Sequence, residues 1–255
     1  MLAMKGTNRR SDRSMLPLTP HIDKQTFSIG VFVFPLILTF CFWLLKMYDG
    51  EYYYWLNDED NLVENLEFLF YFIAFPVALY IGIRFFKTRN NLLGFFYSAL
   101  ALALFFVAME EISWGQRIFS LATPAFFEAH NYQHELTVHN LEGTFHAGHV
   151  VYIVCGFVGA FAWLILPALP AKIKANYDSV VNHLVPSWYL TFYFLPVGLM
   201  YLYFLVYEYV GEWFLDFSYD DQEPAELLLS LGLLLFVITN MYRQSLENTS
   251  GPVNN

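Results

Sequence analysis

Apolar residues fall into six long blocks that are separated by polar stretches. The blocks cover residues 27–48, 66–86, 92–109, 149–169, 188–207 and 227–242. An α-helix rises about 1.5 Å per residue, so about 20 residues cross the roughly 30 Å hydrocarbon core of a bilayer. The pattern predicts an all-α, polytopic membrane bundle of six transmembrane helices within residues 26–243. Residues 1–25 and 244–255 are expected to be a basic tail and a second tail on the cytoplasmic side.

The composition supports a membrane protein and argues against a soluble one. Hydrophobic residues make up 57% of the chain and charged residues only 14%, whereas soluble domains carry about 25% charged residues. The two cysteines, Cys41 and Cys155, lie inside apolar blocks. They predict buried thiols and no disulfide framework.

The basic residues predict the orientation of the chain. They cluster before the first block, between blocks two and three, between blocks four and five, and after block six, with Lys46 and Arg117 as the exceptions. Positively charged connections stay in the cytoplasm, so both termini are expected there. Of the 23 acidic residues, only Asp12, Asp23, Asp178 and Glu247 fall on that side. The outer face is therefore acidic; it attracts cations and repels nucleic acid, and membrane lipid is the expected neighbour.

The stretch EEISWGQR, at residues 110–117, follows the third block directly. Two adjacent carboxylates at the edge of hydrocarbon are costly unless they are paired, protonated or bound to a metal. If the helix continues, Glu110, Ser113 and Arg117 share one face and Glu111 projects about 100° away. We interpret Glu110 and Glu111 as candidate catalytic residues. The plainer alternative is an association of Glu110 with Arg117 beside a solvated Glu111.

The second outer connection, residues 120–149, holds five of the seven histidines. If residues 138–150 form a helix, one face of it carries three histidines and a glutamate within an arc of about 80°. Together with Glu110, these residues are the candidate ligands of a divalent metal ion, with zinc favoured. The four residues are His139, Glu142, His146 and His149. Upstream, Thr123-Pro124 predicts a short helix along the membrane surface.

Alternating polar residues precede that predicted helix. Asn131, Gln133 and Glu135 would share one side of an extended segment. With Gln116 and Arg117 they form the candidate substrate-binding set, suited to a polar headgroup. They suit equally an irregular loop that satisfies its own backbone, and the sequence leaves both interpretations open.

The other two outer connections are also acidic. Asp60, Glu64 and Glu67 fall on one helical face at the start of the second block and predict a further wall of a polar site. Acidic residues are also common at helix N-termini, which explains Glu67 less well because it lies inside the block. Acidic residues at 208, 212, 216 and 220 predict an amphipathic helix at the membrane surface, whose acidic stripe is interpreted as a solvated face.

Two stretches carry a resemblance: EDNLVENLEFLFYFIA, and EEISWGQRIFSLATP followed by NYQHELTVHN. Together they resemble a group of bacterial polytopic membrane proteins with the pattern EEISWGQRIF…TP…NxQxE…HN, over roughly residues 58–140. The resemblance implies a multi-pass protein of the bacterial inner membrane and brings no activity with it. Alkaline ceramidase-like membrane hydrolases are less similar: they share an acidic segment that leads into a span. Their serine, histidine and aspartate signature is not matched, so no catalytic residue is carried over.

These features lead to two classes of function. The first is a metal-dependent hydrolase or transferase that acts on a lipid or lipid-linked substrate, with Glu111 as general base and Arg117 holding a phosphate or carboxylate. The second is non-enzymatic: a cation- or proton-coupled transporter, or a pH-responsive accessory or assembly protein. A transporter needs polar groups near the middle of its spans, where Ser98 and Thr191 are the best available. The oligomeric state stays open.

Overall fold

The protein is described here from a computed structural model. It describes residues 24–58, 61–116, 118–142, 144–165, 168, 170, 180–210 and 217–249. Helices account for nearly all regular structure in these ranges, and the β-pairing among them is one isolated bridge between Asn131 and Leu141. The helices are α1 (Lys24–Tyr48), α2 (Gly50–Asn57), α3 (Leu62–Lys87), α4 (Asn91–Glu111), α5 (Ala125–His130), α6 (Phe145–Ile165), α7 (Thr191–Val210) and α8 (Glu223–Thr249).

Within the described part of the chain, six helices are long and apolar enough to cross a membrane, which confirms the predicted all-α polytopic bundle. Their ends differ from the apolar blocks by a few residues. The last helix begins at Glu223, before the predicted block. The block begins later because the acidic residues in the first turn of this helix are not apolar. Such residues stabilise the positive end of the helix dipole. The short α5 begins directly after Pro124, as the sequence predicts.

The bundle is built around α3, which packs along both α4 and α8, while α7 packs between α6 and α8. Small residues allow close approach: a Cβ atom at Gly156 of α6 would lie 2.5 Å from the Cα atom of Gly198 in α7. Close backbone contact of this kind is typical of membrane helices, which gain little from hydrophobic burial against each other. Below, the loop end is the end of the bundle where α4 finishes and α6 begins.

Lys46, one of the two exceptions to the charge rule, has a buried partner at the loop end. Its Nζ atom lies 2.7 Å from both carboxylate oxygens of Asp221, whose side chain is 3% exposed. Asp221 also accepts hydrogen bonds from the Tyr53 hydroxyl at 2.9 Å and from the Ser218 backbone N–H at 2.7 Å. The lysine therefore neutralises a specific carboxylate and ties the end of α1 to the start of α8.

Candidate functional site

Three carboxylates meet at the loop end of the bundle, two of them buried and one, that of Glu111, half-buried. One oxygen from each of Glu67 in α3, Glu111 in α4 and Glu226 in α8 can be chosen so that all three lie within 4.8 Å of one another. We call these residues the carboxylate triad. Glu67 is fully buried, at 0% exposure, and neither of its carboxylate oxygens has a hydrogen-bond partner among the described residues. A buried, unpaired carboxylate is rare in folded proteins, so the triad requires an explanation.

The packing of three helices, each bearing an acid near its loop end, creates the triad. Two unit charges at this separation repel by roughly 3–4 kcal/mol at an effective dielectric constant near 20. Three full negative charges are therefore stable together only with a cation, or with protons, among them. The arrangement has the donor set of a cation site.

Glu226 is held in place by two tyrosines from neighbouring helices. Its Oε2 accepts a hydrogen bond from the Tyr152 hydroxyl at 2.7 Å, and its Oε1 accepts one from the Tyr201 hydroxyl at 2.5 Å. The two phenol rings stack with centroids 4.2 Å apart and an interplanar angle of 7°. These contacts fix the rotamer of Glu226 and bring α6 and α7 into the site, so five helices position the triad.

A polar cavity of about 180 Å³ lies against the triad. Glu111 and Glu226 line it, whereas Glu67 lies behind them. No lysine or arginine is found among the described residues that line the cavity. Eight of the lining residues are acidic: Asp58, Glu64, Glu110, Glu111, Glu135, Asp220, Glu223 and Glu226. The cavity therefore has a strongly negative potential and favours cationic occupants.

Glu110, adjacent to Glu111, has a different set of partners. Its Oε1 accepts a hydrogen bond from Trp114 Nε1 at 2.5 Å. Its Oε2 is contacted by the backbone N–H groups of Val138 and His139, at 2.6 and 2.9 Å, and by His139 Nδ1 at 3.1 Å. Because these contacts already stabilise the negative charge of Glu110, its carboxylate does not require a metal ion. They make it the anchor of residues 118–142, which we call the roof loop.

The helix that carries Glu110 does not continue, contrary to the expectation. It ends at Glu111, and Ser113, Trp114 and Gly115 then have positive φ angles of 47°, 55° and 76°. Glycine adopts this left-handed conformation freely, and contacts of the Trp114 indole with Glu110 and with the Phe106 ring hold the rest of the turn. Glu110 and Ser113 therefore do not share the predicted helical face; Arg117, the third predicted member of that face, lies outside the described residues.

Gln116 fastens the start of the roof loop. Its Nε2 donates to the Thr123 hydroxyl at 2.6 Å, and its Oε1 accepts a hydrogen bond from the Leu136 N–H at 2.7 Å. The Ser113 hydroxyl also donates to the Glu135 carboxylate. The polar side chains of the SWGQ segment thus bind the roof loop, and the predicted role of Gln116 in substrate binding remains a prediction.

Asn131 satisfies the loop's own backbone, one of the two interpretations that the sequence left open. Its Nδ2 donates to the Thr137 carbonyl at 2.8 Å, and its Oδ1 accepts from the Gln133 N–H at 2.8 Å. The side chain of Gln133 accepts a hydrogen bond from Asn140. Gln133 and Glu135 nevertheless line the cavity.

The predicted metal-binding face of histidines is not assembled as expected, because α6 begins at Phe145 and not near residue 138. His139 and Glu142 therefore precede the helix. His139 contacts Glu110, whereas the Glu142 carboxylate lies 3.7 Å from His130 Nδ1 on the exposed side of the loop. His149 is buried and lines the cavity. The side chain of His146 lies outside the described residues.

Two of the three acids predicted to form a wall at the start of α3 lie at the site. Glu64 lines the cavity and Glu67 joins the triad, while Asp60 lies outside the described residues. Glu223 and Glu226 were not predicted as site residues, because acidic residues are common at the start of a helix. A signal was present: both α3 and α8 begin with the spacing Glu-x-x-Glu, which places two carboxylates on one face one turn apart.

Comparison with protein-family profiles, with curated proteins and with solved structures gives no match for this chain. Its function is inferred from the geometry and chemistry of the site.

Proposed function

We propose that the carboxylate triad binds a divalent cation, and that the protein is a membrane-embedded hydrolase or transferase for a lipid or lipid-linked substrate at the outer membrane face. The observation that carries the proposal is Glu67: a fully buried carboxylate without a hydrogen-bond partner, in a group of three within 4.8 Å. A cation in the triad would offset the repulsion and supply the missing partner. The predicted orientation, with both termini in the cytoplasm, puts the loop end outside.

The donor set favours a hard cation. Carboxylate oxygens suit Mg²⁺, Mn²⁺ and Ca²⁺, while zinc prefers sites rich in histidine or cysteine. The sequence favoured zinc because of the histidines, but His139 is engaged by Glu110 and Glu142 faces away with His130. We therefore place Mg²⁺ or Mn²⁺ ahead of zinc in the proposal.

The roles within the triad follow from what each carboxylate faces. Glu67, behind the cavity, and Glu226, fixed by its tyrosines, would hold the ion, which would activate a water molecule on the cavity side. Glu111 borders both the ion site and the cavity, so we assign it as general base. It would take the proton of the water as the oxygen attacks the substrate, and return it to the leaving group.

The position of the site favours this proposal over a transporter. The described acids of the site lie within two turns of a helix end or in the connecting segments, all at the loop end. Towards the other end, residues 68–83 of α3, 92–109 of α4 and 227–242 of α8 contain no acidic, basic or histidine side chain. The buried hydroxyl of Ser230 donates to the Leu227 carbonyl of its own helix. The described helices thus offer no relay of charged groups across the bundle, as a cation path would need.

Metal binding by purified protein tests the proposal. Protein in detergent would be stripped with chelator, and Mg²⁺, Mn²⁺, Ca²⁺ and Zn²⁺ titrated by calorimetry, with stoichiometry checked by elemental analysis. We expect about one ion per chain in the wild type and in Glu142→Gln, an exposed control. Glu67→Gln should lose the ion. Absence of binding at millimolar metal in the wild type, or full binding in Glu67→Gln, would refute the site.

Hydrolysis is tested separately. Lipids and lipid-linked compounds would be screened for metal-dependent release of their headgroups. Glu111→Gln should retain the ion with reduced affinity and lose turnover, because the base is removed while two ligands stay. Turnover that persists in Glu111→Gln would remove that residue from the mechanism.

A further inference from the structure

The cavity above the triad contains two levels of carboxylates. Glu64 precedes Glu67 in α3 by one helical turn, and Glu223 precedes Glu226 in α8 by the same spacing. One turn is a rise of about 4.5–5.4 Å, so the pair Glu64 and Glu223 lies about 5 Å nearer the loop end than the triad. Both residues line the cavity. They form an upper level of carboxylates, nearer the loop end. A molecule that enters the cavity would pass this level before it reaches the triad.

The charge of the cavity restricts its occupant. Eight carboxylates line it, and none of the described lining residues is a lysine or arginine. Lys46, a cation at the loop end, binds Asp221, which is not a lining residue. A divalent ion at the triad would offset only two negative charges. An anionic headgroup would therefore be repelled at the upper level, whereas a protonated amine would be attracted.

The size and the remaining lining groups define the occupant further. The cavity measures about 180 Å³, and a cavity of about 150 Å³ accepts a benzene ring. The occupant is thus a group of about six to eight heavy atoms. Four amide side chains are also part of the lining and can donate to and accept from hydroxyl groups. They belong to Asn57, Gln133, Asn140 and Gln222.

We propose that the substrate presents a small, hydroxylated group with a protonated amine, which is bound by Glu64 and Glu223 while the scissile bond lies at the triad. The inference rests on the proposed function of the triad and specifies its substrate class. The separation of about 5 Å between the two levels matches an amine that is two to four bonds from the reacting atom. An amino alcohol headgroup and an amino sugar both meet this description.

Matched ligands test the inference. Thermal stability of the wild-type protein in detergent with Mn²⁺ would be followed against glucosamine and glucose, and against ethanolamine and ethylene glycol. Each pair differs in one amine. We expect the amines to stabilise at concentrations at least tenfold lower than the hydroxyl compounds, and glycerol 3-phosphate to give no stabilisation. Equal potency within the pairs, or preference for the phosphate, would overturn the inference.

Variants separate this inference from the metal site. Glu223→Gln and Glu64→Gln are two independent variants that should each reduce the amine preference at least fivefold and still bind about one ion per chain. If the amine preference is unchanged in both variants, the assignment of the upper level is wrong although the triad stands. If the wild type binds no metal ion, the proposed function fails whatever the amine result.

Nanodiscs identify the source of the amine. Discs of phosphatidylethanolamine would be compared with discs of phosphatidylglycerol, which has hydroxyls and no amine. Stabilisation by phosphatidylethanolamine alone supports an amine-bearing lipid headgroup, whereas stabilisation by free glucosamine or ethanolamine alone supports a soluble or lipid-linked amino compound. No response to any amine in either setting would refute the inference.

Discussion

Replacing Glu110 by glutamine is expected to loosen the roof loop and to leave the ion site intact. The Glu110 carboxylate receives hydrogen bonds from the Trp114 indole and from the Val138 and His139 backbone N–H groups. Glutamine keeps the shape of glutamate but replaces one oxygen by an NH₂ group. Whichever way the amide points, at least one of these donors then faces another donor.

The free energy by which Glu110→Gln loosens the roof loop follows from the hydrogen bonds that change. Bonds to a charged group contribute about 1.5–3 kcal/mol each and neutral ones about 0.5–1.5 kcal/mol, while a buried donor left unpaired costs about 1–3 kcal/mol. Two weakened bonds and one lost bond together amount to about 3 kcal/mol or more. Since 1.4 kcal/mol is a factor of ten, the open population of the roof loop should rise about 100-fold.

Hydrogen exchange measured by mass spectrometry on peptides that contain Val138 and His139 would report this change. Their amides donate directly to Glu110, so their protection reflects loop opening. Glu142→Gln, on the exposed side of the same loop, is the matched control and should exchange like the wild type. Trp114→Phe removes one donor and no charge, so its effect should be smaller.

Two results would refute this reasoning. Unchanged exchange in Glu110→Gln would show that the carboxylate does not hold the loop. Loss of the metal ion in Glu110→Gln, with the roof loop still protected, would instead restore Glu110 as a ligand, as the sequence alone suggested.

Three further predictions concern the elements around the site. Lys46→Met should destabilise the protein by about 3 kcal/mol, because it leaves the buried Asp221 carboxylate without its cation; denaturant titration in detergent would measure it, and a loss below about 1 kcal/mol would contradict it. Tyr201→Phe removes a donor to the triad and should weaken ion binding about tenfold by calorimetry, and unchanged affinity would exclude a positioning role. Gly156→Ala should lower the free energy of unfolding by about 1–3 kcal/mol, because the added methyl group meets the backbone of a neighbouring helix at 2.5 Å. Gly30→Ala, with nothing within 4 Å, is the control and should be neutral. Equal melting temperatures of the two variants would refute the close contact.

The fold could be predicted because the bilayer fixes helix length. Each apolar block has to cross the hydrocarbon, so block number and approximate ends are readable from hydropathy. The errors lie where polar residues belong to a helix. Glu223 and Glu226 sit in the first turn of α8, which a hydropathy pattern excludes. The opposite error occurred after Glu111, where the helix ends and a left-handed turn at Ser113, Trp114 and Gly115 follows, although polar periodicity alone would continue the helix.

The site could be predicted only in part, because its assembly depends on helix packing. Glu67 and Glu111 were identified from their depth in apolar surroundings, which is a local property. Glu226 is also buried, but an acidic residue at a helix N-terminus is common and does not by itself indicate a site. Only the packing of α3 against α8 brings Glu226 close to Glu67. The histidines illustrate the converse: their spacing suggested one face, but the chain before Phe145 is irregular, so His139 meets Glu110 instead.

The pair Glu110 and Glu111 shows why adjacent carboxylates at the end of a span need separate explanations. Successive residues on a helix point about 100° apart, so the two side chains meet different parts of the molecule. Glu110 turns towards the roof loop, where an indole and backbone N–H groups stabilise its charge. Glu111 turns towards Glu67 and Glu226, where the neighbouring groups are themselves acidic. The first carboxylate is stabilised by groups of the protein itself. The second lies among other acidic side chains, and for that reason we propose the cation site beside Glu111 and not beside Glu110.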